Sequence, residues 1–159
     1  MIKFRIRDFF YPRRIFQWRQ LLWKSQYYCG DELQSLQWRL LSRLIGHCFE
    51  KVPYYGELFH KMGLRPSDLR SVEDLSAIPM LSKAVVRERH NELKAEEFRS
   101  FRPRAVQTSG TTGSPLTVYW DRNSNVLELV CQWRHFSWVG YRIGEPFLDI
   151  RSRVLDAHS

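Results

Sequence analysis

The sequence is poor in cysteine and lacks any long apolar run. Among 159 residues only Cys29, Cys48 and Cys131 are cysteines, an odd number with no Cys-x-x-Cys pair and no zinc-like spacing to the five histidines. A reduced, cytoplasmic setting is therefore the prediction. Basic residues interrupt the N-terminal region every few positions, and no stretch of about 18 apolar residues occurs. We expect neither a signal peptide nor a membrane span.

Acidic side chains are almost absent from residues 1–28. This stretch holds seven Lys or Arg, nine aromatic residues and one acidic residue, Asp8, whereas the remainder holds 18 basic and 16 acidic residues. Two interpretations are open. Either the arm contacts an anionic membrane surface or a nucleic acid, or it is an irregular helical arm whose rings pack on the body while its charges stay in water. We expect the packed arm and no nucleic-acid partner, and a peripheral membrane contact stays open.

The first half of the chain has the pattern of helices. From Leu33 onward apolar residues recur at spacings of three and four, which predicts one buried helix face. That face comprises Leu36, Leu40, Leu41, Leu44, Ile45, Cys48 and Phe49. The helix should end near Val52, because Pro53 disfavours helix in the residue before it. A second helix is predicted from Pro53 to about Met62, with Gly63 as its stop.

Shorter elements follow these helices. Ser71 and Asp74 form a capping pattern for a single turn that Pro79 terminates. Ser82 is a suitable cap for a helix over Lys83 to about Glu92. No internal repeat and no low-complexity segment occurs in the chain.

The pattern then changes to short strands. Ala105–Thr108 and Leu116–Trp120 read as two strands, the second with alternating apolar residues. Asn123 or Ser124 is predicted to cap a helix that Gly140 ends. The predicted face of that helix is Val126, Val130, Trp133 and Ser137, backed by Leu129 and Phe136.

One more strand is predicted at Phe147–Ile150, close to the last residue. Such a strand needs neighbours that the preceding segments do not supply, so we expect the start of a larger α/β protein. Three parts are predicted: a basic aromatic arm (1–32), a helical part (33–103) and the start of an α/β core (104–159).

Glycines and hydroxyl groups are concentrated between the two strands, in QTSGTTGSP. Glycine lets a ligand approach the backbone, and successive amides with Ser and Thr hydroxyls form an anion-binding nest. The loop contains no lysine and joins two strands, so it does not match G-x-x-x-x-G-K-[ST]. Ordinary hairpin loops use the same residues. On the residues alone, a phosphate loop and a plain turn both stay open.

QTSGTTGSPLTVYW resembles the glycine-rich phosphate loop of the adenylate-forming enzymes, in particular the phenylacetate-coenzyme A ligase family and its capsular-polysaccharide-biosynthesis relatives. FEKVPYYGELFHKMGL and SVEDLSAIPMLSKAVVRE precede it in the order which that family shows, and the resemblance covers approximately residues 36–150. It implies an α/β fold in which a helical segment precedes the start of the large ATP-binding domain. The first 28 residues are closer to the capsule-type relatives.

The resemblance implies ATP-dependent, AMP-forming activation of a carboxylic acid, with Mg²⁺ as cofactor and coenzyme A as an acceptor. Its phosphate-contacting positions correspond to Thr108, Ser109, Gly110, Thr111, Thr112 and Gly113. Many members have lysine after the second glycine, where this chain has Ser114. The family's adenine segment, magnesium-binding Glu, ribose-binding Asp and catalytic Lys lie downstream of the loop, and none is found in residues 121–159. We therefore expect an N-terminal ligase fragment, inactive alone, with a role in capsular or surface polysaccharide biosynthesis.

Four further residues invite functional roles. His135 is expected to be a partly buried helix residue rather than part of an acyl pocket. Trp133 and Trp138 are expected in the core rather than stacked on a ligand. Asp149 has no second carboxylate at a fixed spacing and receives no role. The competing function is a non-catalytic module, in which the basic arm binds an anionic membrane or glycan-assembly partner and the loop is a turn.

Overall fold

The computed structural model describes residues 12–108 and 115–146. The elements are α1 (Pro12–Ser25), α2 (Gly30–Lys51), α3 (Pro53–Met62), α4 (Lys83–Glu88), β1 (Arg104–Gln107), β2 (Thr117–Trp120) and α5 (Arg122–Ser137). Short 3-10 helices occupy Pro66–Asp68, Glu73–Ala77 and Phe98–Phe101. The described part is mostly helical with one antiparallel two-stranded sheet, which is compatible with part of an α/β domain. The strand predicted at Phe147–Ile150 lies outside the described residues.

The boundaries of α2 and α3 follow from local chemistry. Glu32, in the first turn of α2, accepts a hydrogen bond from the backbone N–H of Cys29 at 2.9 Å. Pro53 lacks an N–H and begins α3, where the first backbone donors have no helical partner in any case. Gly63 ends α3 in the left-handed region, at φ 63°. The predicted stop at Gly63 and the break near Val52 are confirmed.

The core of the first half lies where α3 crosses α2. Ile45, Phe59 and Leu69 are buried, and the ring of Phe49 meets that of Phe59 edge-on at 5.7 Å. Gly56 permits the close approach, because a Cβ at this position would lie 3.2 Å from the carbonyl oxygen of Phe49. The absence of a side chain at Gly56 therefore sets the spacing of the two helices.

The buried face of α2 is narrower than the sequence predicts. Ile45 is buried and Leu41 half-buried, but Leu40 is exposed and Leu44 is 56% exposed. Leu44 is one residue from Ile45, and adjacent helix positions point about 100° apart. Because α3 and the Pro66–Asp68 turn pack on only one stripe of α2, the predicted burial of Leu40 and Leu44 is wrong.

A turn after α4 holds α3 in place. Ser82 Oγ accepts the N–H of Val85 at 3.3 Å, as the predicted cap requires. The helix nevertheless ends at Glu88 and not near Glu92, because the chain turns so that the carbonyl of Glu92 accepts the N–H of Tyr54 at 3.0 Å. That N–H belongs to the first turn of α3 and would otherwise lack a partner.

An ion-pair cluster joins the same two segments. The guanidinium of Arg89 pairs with Glu57 and Glu92 and lies 4.9 Å from the ring centroid of Tyr54. Glu57 also pairs with Lys61 one helical turn along α3. Hydrogen bonds from Lys61 and Arg89 lower the pKa of Glu57 from 4.5 to about 2. The cluster thus favours the charged form of Glu57 over a wide pH range.

The basic arm packs on the last helix. Val126 and Val130 of α5 are buried, with Val130 at 0% exposure, where α1 lies against α5. Trp18 Nε1 and a guanidinium nitrogen of Arg14 donate to Asn123 Oδ1 at 3.2 and 3.0 Å. The packed-arm interpretation is confirmed for Trp18, whereas Phe16 in the same helix is 58% exposed. Within the described residues no helix combines the length and apolar character needed to cross a bilayer.

Candidate phosphate-loop site

The glycine-rich segment is the connection of a β-hairpin. β1 pairs antiparallel with β2 in the register Val106 opposite Val118 and Gln107 opposite Thr117. Pairing continues one step beyond the strands, because the N–H of Thr108 donates to the carbonyl of Leu116 at 3.0 Å. The two predicted strands are confirmed, and each begins one residue away from its predicted start.

The side chain of Thr108 also bonds to Leu116. We call this point, where the two ends of the connection meet, the mouth of the loop. Its Oγ1 accepts the N–H of Leu116 at 3.0 Å. The backbone N–H of Thr108 is thus engaged in the hairpin, whereas its hydroxyl also carries a hydrogen that can be donated. This closing role is not among the sequence predictions, although a threonine next to a turn is a recognised signal for side-chain to backbone hydrogen bonds.

The structure describes one of the six predicted phosphate-contacting residues. Thr108 lies at the loop mouth and is exposed. The other five, Ser109, Gly110, Thr111, Thr112 and Gly113, lie outside the described residues. Pro115, on the other side of the mouth, is also exposed. The mouth of the loop is therefore open to solvent.

The hairpin is attached to the preceding segment through β2. The ring of Tyr119 meets that of Phe98 edge-on at 4.9 Å, and Lys94 Nζ lies 5.1 Å from the Tyr119 centroid. Lys94 Nζ is held by a 2.8 Å hydrogen bond to Asn91 Oδ1. β2 is half-buried at alternate residues, whereas all four residues of β1 are exposed. The loop is thus mounted on a hairpin anchored on one side, an attachment that the sequence did not predict.

The far end of the hairpin leads directly into α5. Asp121 caps that helix, because its carboxylate accepts the N–H of Ser124 at 2.6 Å. The predicted cap at Asn123 or Ser124 is wrong, since the amide oxygen of Asn123 accepts a hydrogen bond from Trp18 of α1 instead. A polar cleft of about 150 Å³ beside Asp121 is lined in part by Arg14 and Ser100. Four strand residues separate this cleft from the loop mouth by about 13 Å.

The remaining singled-out residues are Trp133, His135, Trp138 and Asp149. Trp133 is half-buried, so its predicted core position is only partly met. Trp138 is 62% exposed, and its Nε1 donates to Gln26 Oε1 at 2.9 Å. The core position predicted for Trp138 is wrong, because Trp138 follows the last residue of α5 and its side chain is mostly exposed. His135 is exposed rather than partly buried. Asp149 lies outside the described residues.

Metal-binding groups are not clustered in the described part of the chain. In residues 12–108 and 115–146, no three His, Cys, Asp or Glu side chains come together to hold a metal ion. Mg²⁺, which the resemblance implies, has no ready ligand set among these residues. Cys29, Cys48 and Cys131 are all free thiols, and burial raises the pKa of Cys48.

The chain is similar to several proteins named phenylacetate-coenzyme A ligase. The phenylacetate-coenzyme A ligase of Thermus thermophilus is 33% identical over 93 residues, which are 58% of this chain and 21% of that protein. The Aromatoleum evansii enzyme of the same name is 35% identical over 88 residues (55% and 20%), and the Escherichia coli enzyme is 33% identical over 96 residues (58% and 21%). No family model matches the chain. The chain spans about a fifth of the length of these curated relatives.

Proposed function

We propose that this chain supplies the ATP-phosphate-binding hairpin of a phenylacetate-coenzyme A ligase-like enzyme that activates a carboxylic acid. The observation that carries the proposal is 30–35% identity to several phenylacetate-coenzyme A ligases over more than half of the chain. The hairpin geometry supports it, since the hydrogen bonds between Thr108 and Leu116 hold the two ends of the glycine-rich connection side by side.

The loop would act by positioning and by hydrogen bonding. In the proposed reaction a carboxylate oxygen attacks the α-phosphorus of ATP, the bond to the β-phosphate breaks, and pyrophosphate leaves. Amides at Gly110 and Gly113 and the neighbouring hydroxyls would hold the β- and γ-phosphates in line with the attacking oxygen. The hydroxyl hydrogen of Thr108 adds one donor at the mouth of the loop.

Ser114 stands where many members of the resembled family carry lysine. Binding would then rely on backbone and hydroxyl donors rather than on a formal charge within the loop. Because screening by salt acts mainly on formal charges, the contribution of the loop's own donors to ATP affinity is expected to depend only weakly on ionic strength.

The proposal also includes a cofactor, two substrates and a cellular role. They rest on the resemblance: Mg²⁺ accompanying ATP, a carboxylic acid co-substrate, coenzyme A as an acyl acceptor, and a cytoplasmic role in capsular or surface polysaccharide biosynthesis. We further propose that the piece is inactive alone, because the resembled family places its adenine, magnesium and catalytic residues beyond the phosphate loop. Robust pyrophosphate exchange by the 159-residue chain by itself would contradict the inactivity but not the ATP site.

A thermal-shift comparison tests the ATP site. The Gly110→Ala/Gly113→Ala variant adds two methyl groups to the loop, whereas Gly30→Ala/Gly46→Ala adds two where no atom lies within 4 Å. At a hundredfold excess of ATP over its Kd, binding contributes about 2.7 kcal/mol. For a chain of this size that corresponds to a rise in Tm of about 5–10 °C. The unmodified chain and the control should show the rise and the loop variant should not; an equal response of all three would exclude the loop.

A further inference from the structure

Helix α1 has two faces of different character. Its inward face packs on α5 through half-buried Ile15, Trp18 and Leu22. The opposite face carries Arg13, Phe16, Gln20 and Lys24, which are all exposed. Their spacings of three, four and four residues place them in one row along the helix. The row is about 16 Å long at 1.5 Å per residue.

This outward row has positive charge without acidic partners. The α1 sequence PRRIFQWRQLLWKS contains no Asp or Glu. Within the described residues, Arg13 and Lys24 of this row and Arg19 at its side form no salt bridge, and the Arg19 guanidinium lies 5.5 Å from the centroid of the Trp23 ring. An uncompensated cationic strip of this kind attracts an anionic surface.

Exposed aromatic side chains lie close to these basic residues in the sequence. Phe16 lies between Arg13 and Lys24 and is 58% exposed, and Tyr27, two residues beyond the helix, is 83% exposed. An anionic bilayer suits both features, because its headgroups attract cations and its interface accepts aromatic rings. A nucleic-acid duplex would attract the cations but offers Phe16 no apolar region. The combination therefore favours lipid over nucleic acid.

We propose that the outward face of α1 docks on the surface of an anionic lipid bilayer. The helix keeps its contact with α5 and lies along the headgroups, with Arg13 and Lys24 toward anionic lipids, Arg19 at the side of this face and Phe16 entering the interface. Since α5 already covers the more apolar face of α1, the contact is peripheral and mainly electrostatic. This inference does not depend on the phosphate loop.

Vesicle co-sedimentation of the 159-residue chain tests the proposal. The vesicles contain phosphatidylserine with phosphatidylcholine, or phosphatidylcholine alone. Each removed charge is expected to lower the partition coefficient about fivefold, so R13Q/R19Q/K24Q should bind the anionic vesicles about a hundredfold more weakly. The control R39Q/R43Q/K83Q removes three exposed charges elsewhere and should keep most of the binding.

A second pair of variants tests the aromatic contact. Phe16→Ala should weaken vesicle binding several-fold, whereas Met80→Ala, at an almost fully exposed apolar residue, should not change it. Circular dichroism confirms that each variant is folded, and a salt titration of the unmodified chain tests the charge contribution without any mutation. Phosphatidylserine-dependent binding that salt and the α1 variants weaken supports the proposal. Absence of binding, equal losses in both triple variants, or tighter binding to duplex DNA in the same buffer overturns it.

Discussion

Replacing Gly56 with alanine tests the crossing of α2 and α3. The added Cβ would lie 3.2 Å from the carbonyl oxygen of Phe49, which is closer than an ordinary van der Waals contact. Gly46 in α2 offers a matched control, since a Cβ there meets no atom within 4 Å. Both glycines are helical, so the same substitution is made at an open site and at a close contact.

The two substitutions are expected to change the free energy of unfolding in opposite directions. Alanine in place of a helical glycine gains about 0.5–1 kcal/mol, and Gly46→Ala should show this gain. At Gly56 the contact atom is backbone, so relief requires a shift of α2, which also carries the Phe49 ring packed on Phe59. Overpacking of this kind costs about 1–3 kcal/mol. Gly56→Ala should therefore be less stable than Gly46→Ala by about 1–3 kcal/mol.

Thermal melting followed by circular dichroism measures the difference. At about 2–4 °C per kcal/mol for a chain of this size, the two variants should differ in Tm by roughly 2–12 °C. If Gly56→Ala melts at the same temperature as Gly46→Ala or above it, α3 does not approach α2 as closely as described.

Three further predictions concern the packed arm, the loop mouth and acid stability. Val130→Ala should lose roughly 1–3 kcal/mol in urea unfolding because its side chain is fully buried, whereas exposed Val139→Ala should change little; similar losses would argue against the α1–α5 interface. Thr108→Val should speed hydrogen exchange at the Leu116 amide, consistent with a lost hydrogen bond of about 0.5–1.5 kcal/mol, and Thr108→Ser should not. Glu57 has a folded-state pKa of about 2 against an ordinary 4.5, so it stabilises the fold above pH 4.5 and loses that effect as pH falls toward 2. The Tm difference between the unmodified chain and Glu57→Gln should shrink over this range, and a constant difference would refute the ion-pair cluster.

Boundaries set by proline and glycine could be predicted from the sequence. Pro53 begins α3 because it lacks a donor, and Gly63 ends it because it adopts a left-handed conformation. Both effects act within a few residues, so no knowledge of the packing is needed. The two hairpin strands could also be predicted, since their alternating apolar residues and the turn residues between them are local signals.

Burial could not be predicted in the same way. Leu44 has the spacing of a core residue and Trp138 the size of one, yet both are exposed. Whether such a side chain is buried depends on which element packs against it, and that is set by residues far away in the chain. The helix pattern identifies an apolar stripe but not the width that a neighbour covers.

The position of the candidate site was predictable, but its attachments were not. The spacing of glycines and hydroxyls between two strands located the loop. Lys94 and Phe98 contact Tyr119 across the intervening β1 and loop, and no local pattern predicts that cluster. The cap of α5 was missed because Asn123 and Ser124 are also suitable caps, whereas contact with α1 engages Asn123 and Asp121 is the cap.

The central claim is that the loop amides bind the phosphates of ATP, and an NMR titration of the ¹⁵N-labelled chain tests it most directly. We predict that ATP shifts the amide signals of Gly110 and Gly113 in a saturable manner, while those of Gly30 and Gly46 stay unchanged as internal controls. Pyrophosphate should compete for the same shifts. If the Gly110 and Gly113 signals do not move at saturating ATP, or all four glycines shift alike, the claim is contradicted.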